Sequence, residues 1–78
     1  MKVNKTQATM FILNLLLKNK ELSKSDVLDV LDISSLTFSR YIQEIKAYLL
    51  NFNIPLEIKY YRYNDKYRLI ESDDNNFI

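Results

Sequence analysis

A chain of 78 residues that is 47% hydrophobic and nearly charge-balanced, with eleven Lys and Arg against ten Asp and Glu, has room for one small folded domain. A chain this short buries only about 60% of the surface its unfolded form exposes, so a single core is all it can build. With no Cys and no His, disulfides, thiol chemistry, imidazole bases and the usual transition-metal ligands are excluded, and no glycine-rich phosphate loop is present.

The longest apolar stretch, Met10 to Leu17, is interrupted by Asn14 and stops at Lys18, short of the ~20 residues that span a bilayer. Met1 to Gln7 is basic, but no small-residue cleavage site follows the apolar run, so a soluble, cytoplasmic protein without membrane contact is expected. The net charge of +1 hides a division along the chain: residues 1–24 sum to +4, 25–35 to −3, 36–68 to +3 and 69–78 to −3. The basic segments permit a polyanionic partner.

From Thr6 to Asn19, Phe11, Ile12, Leu15 and Leu16 recur at helical spacing, with Ala8, Met10, Leu13 and Leu17 widening the stripe. A helix so broadly apolar is expected to be covered on more than one side. Two further helix starts follow, each built as an apolar residue, a serine cap and an apolar residue five positions on. Leu22, Ser23 and Val27 open a short helix, Lys24 to Leu31, with Asp26 as a capping-box acid and Val27, Leu28 and Leu31 inward. Ile33, Ser34 and Phe38 open a longer one, residues 35–50, whose inward stripe is Phe38, Ile42, Ile45 and Leu49. Only Asp32, Ile33 and Ser34 separate the two, a tight corner in which Asp32 must take the left-handed conformation that glycine usually supplies. Asn51 or Asn53 ends the third helix, and Pro55 prevents its continuation.

After Pro55 the period becomes two. Leu56 to Tyr63 and Lys66 to Ile70 read as strands joined by a two-residue turn at Asn64 and Asp65, which sets Tyr63 opposite Lys66 and Tyr60 opposite Leu69. One face then holds Ile58, Tyr60, Arg62, Tyr67 and Leu69, the other Lys59, Tyr61, Tyr63, Lys66, Arg68 and Ile70. Three helices followed by a β-hairpin make an α+β winged helix-turn-helix over residues 1–71, with residues 72–78 a polar, acidic tail or the start of a linker.

The string Ile33-Ser34, Thr37-Phe38, Arg40, Ile42, Glu44-Ile45, Ile54-Pro55 and Tyr67-Arg68-Leu69 resembles the amino-terminal winged-helix domain of bacterial WYL-domain and DeoR-like transcriptional regulators. The resemblance covers about residues 6–71. It implies double-stranded DNA as partner, and in that family a ligand-sensing or dimerising domain usually follows. Leu36 stands where the family has arginine, Tyr41 where it has aspartate and Asp32 where it has glycine, so the charge of the reading helix differs from the family pattern.

With its stripe inward, the third helix turns Leu36, Arg40, Gln43 and Ala47 outward, flanked by Ser35, Thr37, Ser39 and Glu44. Arg40 suits guanine or phosphate, Gln43 adenine, and Leu36 or Thr37 a thymine methyl. Lys46, Lys59, Lys66 and Arg68 suit phosphates, and Tyr61 and Tyr63 suit sugars or a groove edge, Arg68 being favoured by the resemblance. The plainer reading of each is a solvated surface, where Lys also protects an edge strand. No cofactor and no catalysis are expected, because the acids are scattered. Asp26 and Asp29 read as a solvated helix face. A different reading is a protein-interaction winged helix, assembling through the first helix and the tyrosine-rich hairpin and marked by exposure of Phe11, Leu13 or Leu17 with Tyr41 or Tyr48. Both readings allow a homodimer.

Overall fold

The computed structural model describes residues 3–72. Its elements run α1 (Lys5–Asn19), β1 (Glu21–Ser23), α2 (Lys24–Leu31), α3 (Ser35–Asn51), β2 (Leu56–Tyr61) and β3 (Lys66–Glu71), the expected helices and hairpin with one added strand. Beyond Ser72, the acidic tail lies outside the described residues.

Helix α1 starts one residue before the expected Thr6 because Asn4 and Gln7 cap it reciprocally. Asn4 Oδ1 accepts from the Gln7 amide at 2.8 Å, and the Asn4 amide donates to Gln7 Oε1 at 3.4 Å. Ala8, Ile12 and Leu16, one turn apart, are buried; Phe11, Leu13 and Leu15 are half-buried, while Met10 and Leu17 are exposed. The helix is therefore covered on one broad side and open on the other.

The chain leaves α1 through Lys20, whose φ of 69° is left-handed and whose amide donates to the Leu16 carbonyl. That reversal lays Glu21–Ser23 antiparallel to β3, with Leu22 opposite Tyr67, and the Lys20 carbonyl accepts from the Leu69 amide at 2.9 Å. A strand of three residues is too short to show an alternating pattern, so it is invisible to periodicity. Its presence also corrects the expected role of Ser23. Ser23 precedes α2 in extended geometry, yet its side chain accepts no helix amide and instead lies 3.2 Å from the Ser25 hydroxyl. As the last residue of β1, opposite Lys66, it is held in register by the sheet rather than by a cap.

The second start behaves as expected. Ser34 Oγ accepts from the Thr37 amide at 3.1 Å and donates to Thr37 Oγ1 at 3.0 Å. Asp32 makes the corner with φ 56° and ψ 52°, the left-handed conformation required where glycine is missing. Phe38, Ile42, Ile45 and Leu49 are buried along α3, and Asn53, φ 55°, turns the chain out after Phe52. The Ile54 amide then closes on the Leu49 carbonyl at 2.9 Å.

The sheet order is β1-β3-β2, all antiparallel. The hairpin turn holds four residues, 62–65, with Asp65 left-handed, instead of the expected two. Tyr61 therefore opposes Lys66, Tyr60 opposes Tyr67 and Ile58 opposes Leu69. Since this register differs from the expected one by an even step, every strand side chain keeps its expected face; an odd slip would have inverted them all. Tyr63 and Arg62 move into the turn. Leu22, Ile58 and Leu69 close the core over the helices, and the Tyr67 ring meets Phe38 edge-on at 5.2 Å between centroids.

Candidate nucleic-acid interface

Burial of Phe38, Ile42, Ile45 and Leu49 fixes the rotation of α3, so Leu36, Arg40, Gln43 and Ala47 are all exposed on its opposite side. Ser35 and Ser39 are exposed beside them, whereas Thr37 is half-buried with its hydroxyl already engaged by Ser34. Thr37 is thus an element of the cap before it is a surface group. Glu44 meets Lys5 of α1 at 3.4 Å, which partly offsets the one carboxylate on that flank. The first turn of α3 carries no acid, so the partial positive charge of its amino end, beside Ser34 and Ser35, is left uncompensated by its own residues.

The outer face of the sheet forms two cross-strand rows. Glu21, Arg68 and Lys59 make one; Ser23, Lys66 and Tyr61 make the other. The Arg68 guanidinium lies 5.6 Å from the centre of the Tyr61 ring, and Tyr63, exposed at the turn, stands edge-on to Tyr61 at 6.1 Å. Lys59 is exposed on this face, and Lys46 is exposed on α3, where it lines a groove with Leu56 and Glu57 of β2. The structure thus gathers Lys59, Tyr61, Lys66 and Arg68 on one surface, with Tyr63 at its tip.

Glu21 is the member of this surface that sequence reasoning missed. Its carboxylate lies 3.6 Å from Arg68 Nε and 3.7 Å from Lys66 Nζ, all three side chains being half-exposed. Nothing in the sequence near Glu21 marks it, because its neighbours come from a strand more than forty residues later.

On the inner side of the hairpin, the Tyr60 hydroxyl donates to Asp65 Oδ1 at 2.8 Å, bracing the turn. That bond to a carboxylate, more than any other cause, holds the Tyr60 phenol above its ordinary pKa; burial and the charge of Asp65 add to it. The Tyr67 phenol is also raised, but there burial is the first cause and the charge of Asp65 the second. Tyr60 and Tyr67 pack at 4.8 Å between ring centres.

Two open grooves complete the surface. One of about 600 Å³ runs between the end of α3 and β2, lined by Lys46, Leu50, Pro55 and Glu57 among others. The other, about 430 Å³, lies between α1 and α2 over Phe11 and Val30. Glu21, Asp26 and Lys66 also line the second groove, and the Glu21–Lys66 ion pair lies on its wall. Among the described residues, no helix is long and apolar enough to cross a membrane.

The corner, the exposed row and the wing are the parts of a helix-turn-helix domain, and comparison with known proteins agrees. The family model of the Mga helix-turn-helix domain matches residues 1–71, from the first helix through the wing. No curated protein and no solved structure matches the chain. With the match covering nearly its whole length, the chain belongs to the Mga helix-turn-helix domain family.

Proposed function

We propose that this is the DNA-binding domain of a bacterial-type transcriptional regulator, acting in the cytoplasm, with α3 in the major groove and the β2–β3 hairpin on the flanking backbone. The observation that carries the reading is the row Leu36, Arg40, Gln43 and Ala47, exposed along the side of α3 opposite its buried stripe, in a chain of helix-turn-helix family. Arg40 reaches a guanine edge or a phosphate, Gln43 an adenine, and Leu36 a thymine methyl, while Ala47 keeps the helix close to the groove. Ser35 and Ser39 contact the groove edge, and Thr37 contributes mainly by holding the cap.

Lys46, Lys59, Lys66 and Arg68 neutralise phosphates, and Tyr61 and Tyr63 pack on sugars. The likeness to WYL-domain and DeoR-like domains supports the wing contact of Arg68 and a further sensing or dimerising domain in the complete regulator. A homodimer would give a site of useful length by pairing two half-sites.

Fluorescence-anisotropy titration of random-sequence duplex DNA at low and physiological salt tests the reading. Binding in the micromolar range that collapses with salt and weakens in Arg40→Ala is expected; at a selected site the same variant should relax one base preference by ~1–3 kcal/mol. Absence of binding at low salt would instead favour a protein-interaction winged helix. The observation on its side is apolar exposure at the end of α3, where Leu50 and Phe52 are 77% and 68% exposed. Of the residues expected to mark that surface, Phe11, Leu13 and Tyr41 are half-buried against the core, and Leu17 and Tyr48 are exposed.

A further inference from the structure

We infer that Glu21 is a built-in stand-in for DNA phosphate, an affinity-setting residue that holds the basic side chains of the wing in a phosphate-binding arrangement and must be displaced when DNA binds. The inference rests on the proposed wing contact and adds to it a residue that the sequence did not suggest.

Three cations share the outer face of a small sheet, and two of them, Lys59 and Arg68, are directly opposite across the β2–β3 ladder. Like charges in that position repel. On the other side of Arg68, β1 brings Glu21 directly opposite, and its two oxygens divide between partners: Oε1 faces Arg68 Nε at 3.6 Å and Oε2 faces Lys66 Nζ at 3.7 Å. One carboxylate bridging a guanidinium and an ammonium mimics how a phosphate would bridge them. The Tyr61 ring supports the guanidinium from β2, so Arg68 is held both by charge and by the ring face.

The contacts are long and half-exposed, and exposed ion pairs contribute little to stability. Glu21 is therefore easily displaced. Lys59 has no ion pair among the described residues and is the cation open to a first phosphate. A backbone arriving there brings further negative charge toward Arg68 and Lys66, and phosphate then replaces the carboxylate. The cost of pushing Glu21 aside, together with its repulsion of the incoming backbone, lowers affinity for every sequence alike. Because two of the wing cations are already partly neutralised, fewer counterions are released on binding, and salt dependence is shallower than a count of basic residues would give.

The test compares the 78-residue chain with Glu21→Gln and with the charge-matched control Glu57→Gln in anisotropy titrations of random-sequence duplex DNA over a range of salt. Glu57 is exposed on β2 and has no ion pair among the described residues, so its variant makes the same change in net charge without freeing a wing cation. Thermal melting of each variant checks that the fold is retained, and circular dichroism in DNA-free buffer checks the sheet. Glu21→Gln is expected to bind about threefold to tenfold more tightly at low salt, the size of one removed charge repulsion at short range. Its plot of log affinity against log salt should steepen by about one. Glu57→Gln should change both by less than half as much. If the unsubstituted chain and all variants fail to bind, the wing-contact reading falls and takes this inference with it. If the chain binds but Glu21→Gln matches Glu57→Gln or binds more weakly than the unsubstituted chain, Glu21 is no phosphate stand-in and the inference alone is overturned.

Discussion

Leu22 and Tyr67 face each other across the β1–β3 ladder, so the segment between the first two helices is stitched to the wing. Leu22 is buried on the inner side of the sheet, and Tyr67 carries the contact on to Phe38 of α3. The wing is thereby tied to both flanks of the helical corner, which fixes its direction relative to the exposed row of α3.

Truncating that stitch should loosen the domain. Leu22→Ala removes a buried side chain and leaves a cavity, costing about 2–4 kcal/mol. In a domain whose total stability is on the order of 5 kcal/mol, this should bring unfolding close to ambient temperature. Chemical denaturation followed by circular dichroism checks it; a cost below about 1 kcal/mol would mean that β1 contributes little.

The chain has no glycine, yet Lys20, Asp32, Asn53 and Asp65 all have φ between 55° and 69°. For Lys20 the side chain gains nothing that offsets its left-handed strain, whereas Asp and Asn tolerate the conformation better. Lys20→Gly should therefore raise stability by about 0.5–1 kcal/mol, and Asp32→Ala should lower it by a similar amount. Comparing denaturation midpoints of the two variants decides the matter, because helix propensity has no bearing on residues outside the helices.

These positions also mark what could be read from the sequence. The Asp32 corner, the Ser34 cap, the Asn53 exit and the α3 stripe were legible because each depends on residues within one or two turns. Strand β1 was not, since its partner lies at Lys66–Arg68 and three residues carry no period of their own. The misreading of Ser23 follows directly: a hydroxyl before an apolar run reads as a cap unless the sheet that holds its backbone is known. Hairpin register was misread by a four-residue turn replacing a two-residue one, but face assignment survived because the step was even. The exposed row of the candidate site was legible for the same local reason as the stripe opposite it. Glu21 at the wing was hidden, because it reaches the basic surface only through β1.

Alkaline pH should act through Tyr67. Burial holds its phenol above the ordinary value of 10, so the fold favours the neutral form. The stabilisation is whole below the unfolded-state pKa and is lost as pH rises through the higher folded-state value. Melting temperature should therefore fall as pH rises above about 10. Tyr67→Phe keeps the ring contacts with Phe38 and Tyr60 and should fall less steeply over the same window. Equal slopes for the two proteins would assign the alkaline loss to other groups.

The Ser34 cap should matter to α3 more than to the rest of the domain. Ser34→Ala removes the acceptor of the Thr37 amide and should cost about 1 kcal/mol. Ser23→Ala, which breaks no cap, should cost less than half of that. Hydrogen exchange at the amides of Ser35, Leu36 and Thr37 should quicken only in the first variant.

The most direct measurement is an NMR titration of the labelled chain with duplex DNA, following each backbone amide. If DNA binds as proposed, the largest shifts fall on residues 34–43 of the corner and α3 and on Lys59, Tyr61, Tyr63, Lys66 and Arg68, with the exposed side of α1 at Met10 and Leu17 unmoved. Shifts centred on Met10 and Leu17, or on Leu50 and Phe52, with the α3 row silent, would contradict the proposed interface and move it away from the exposed row of α3.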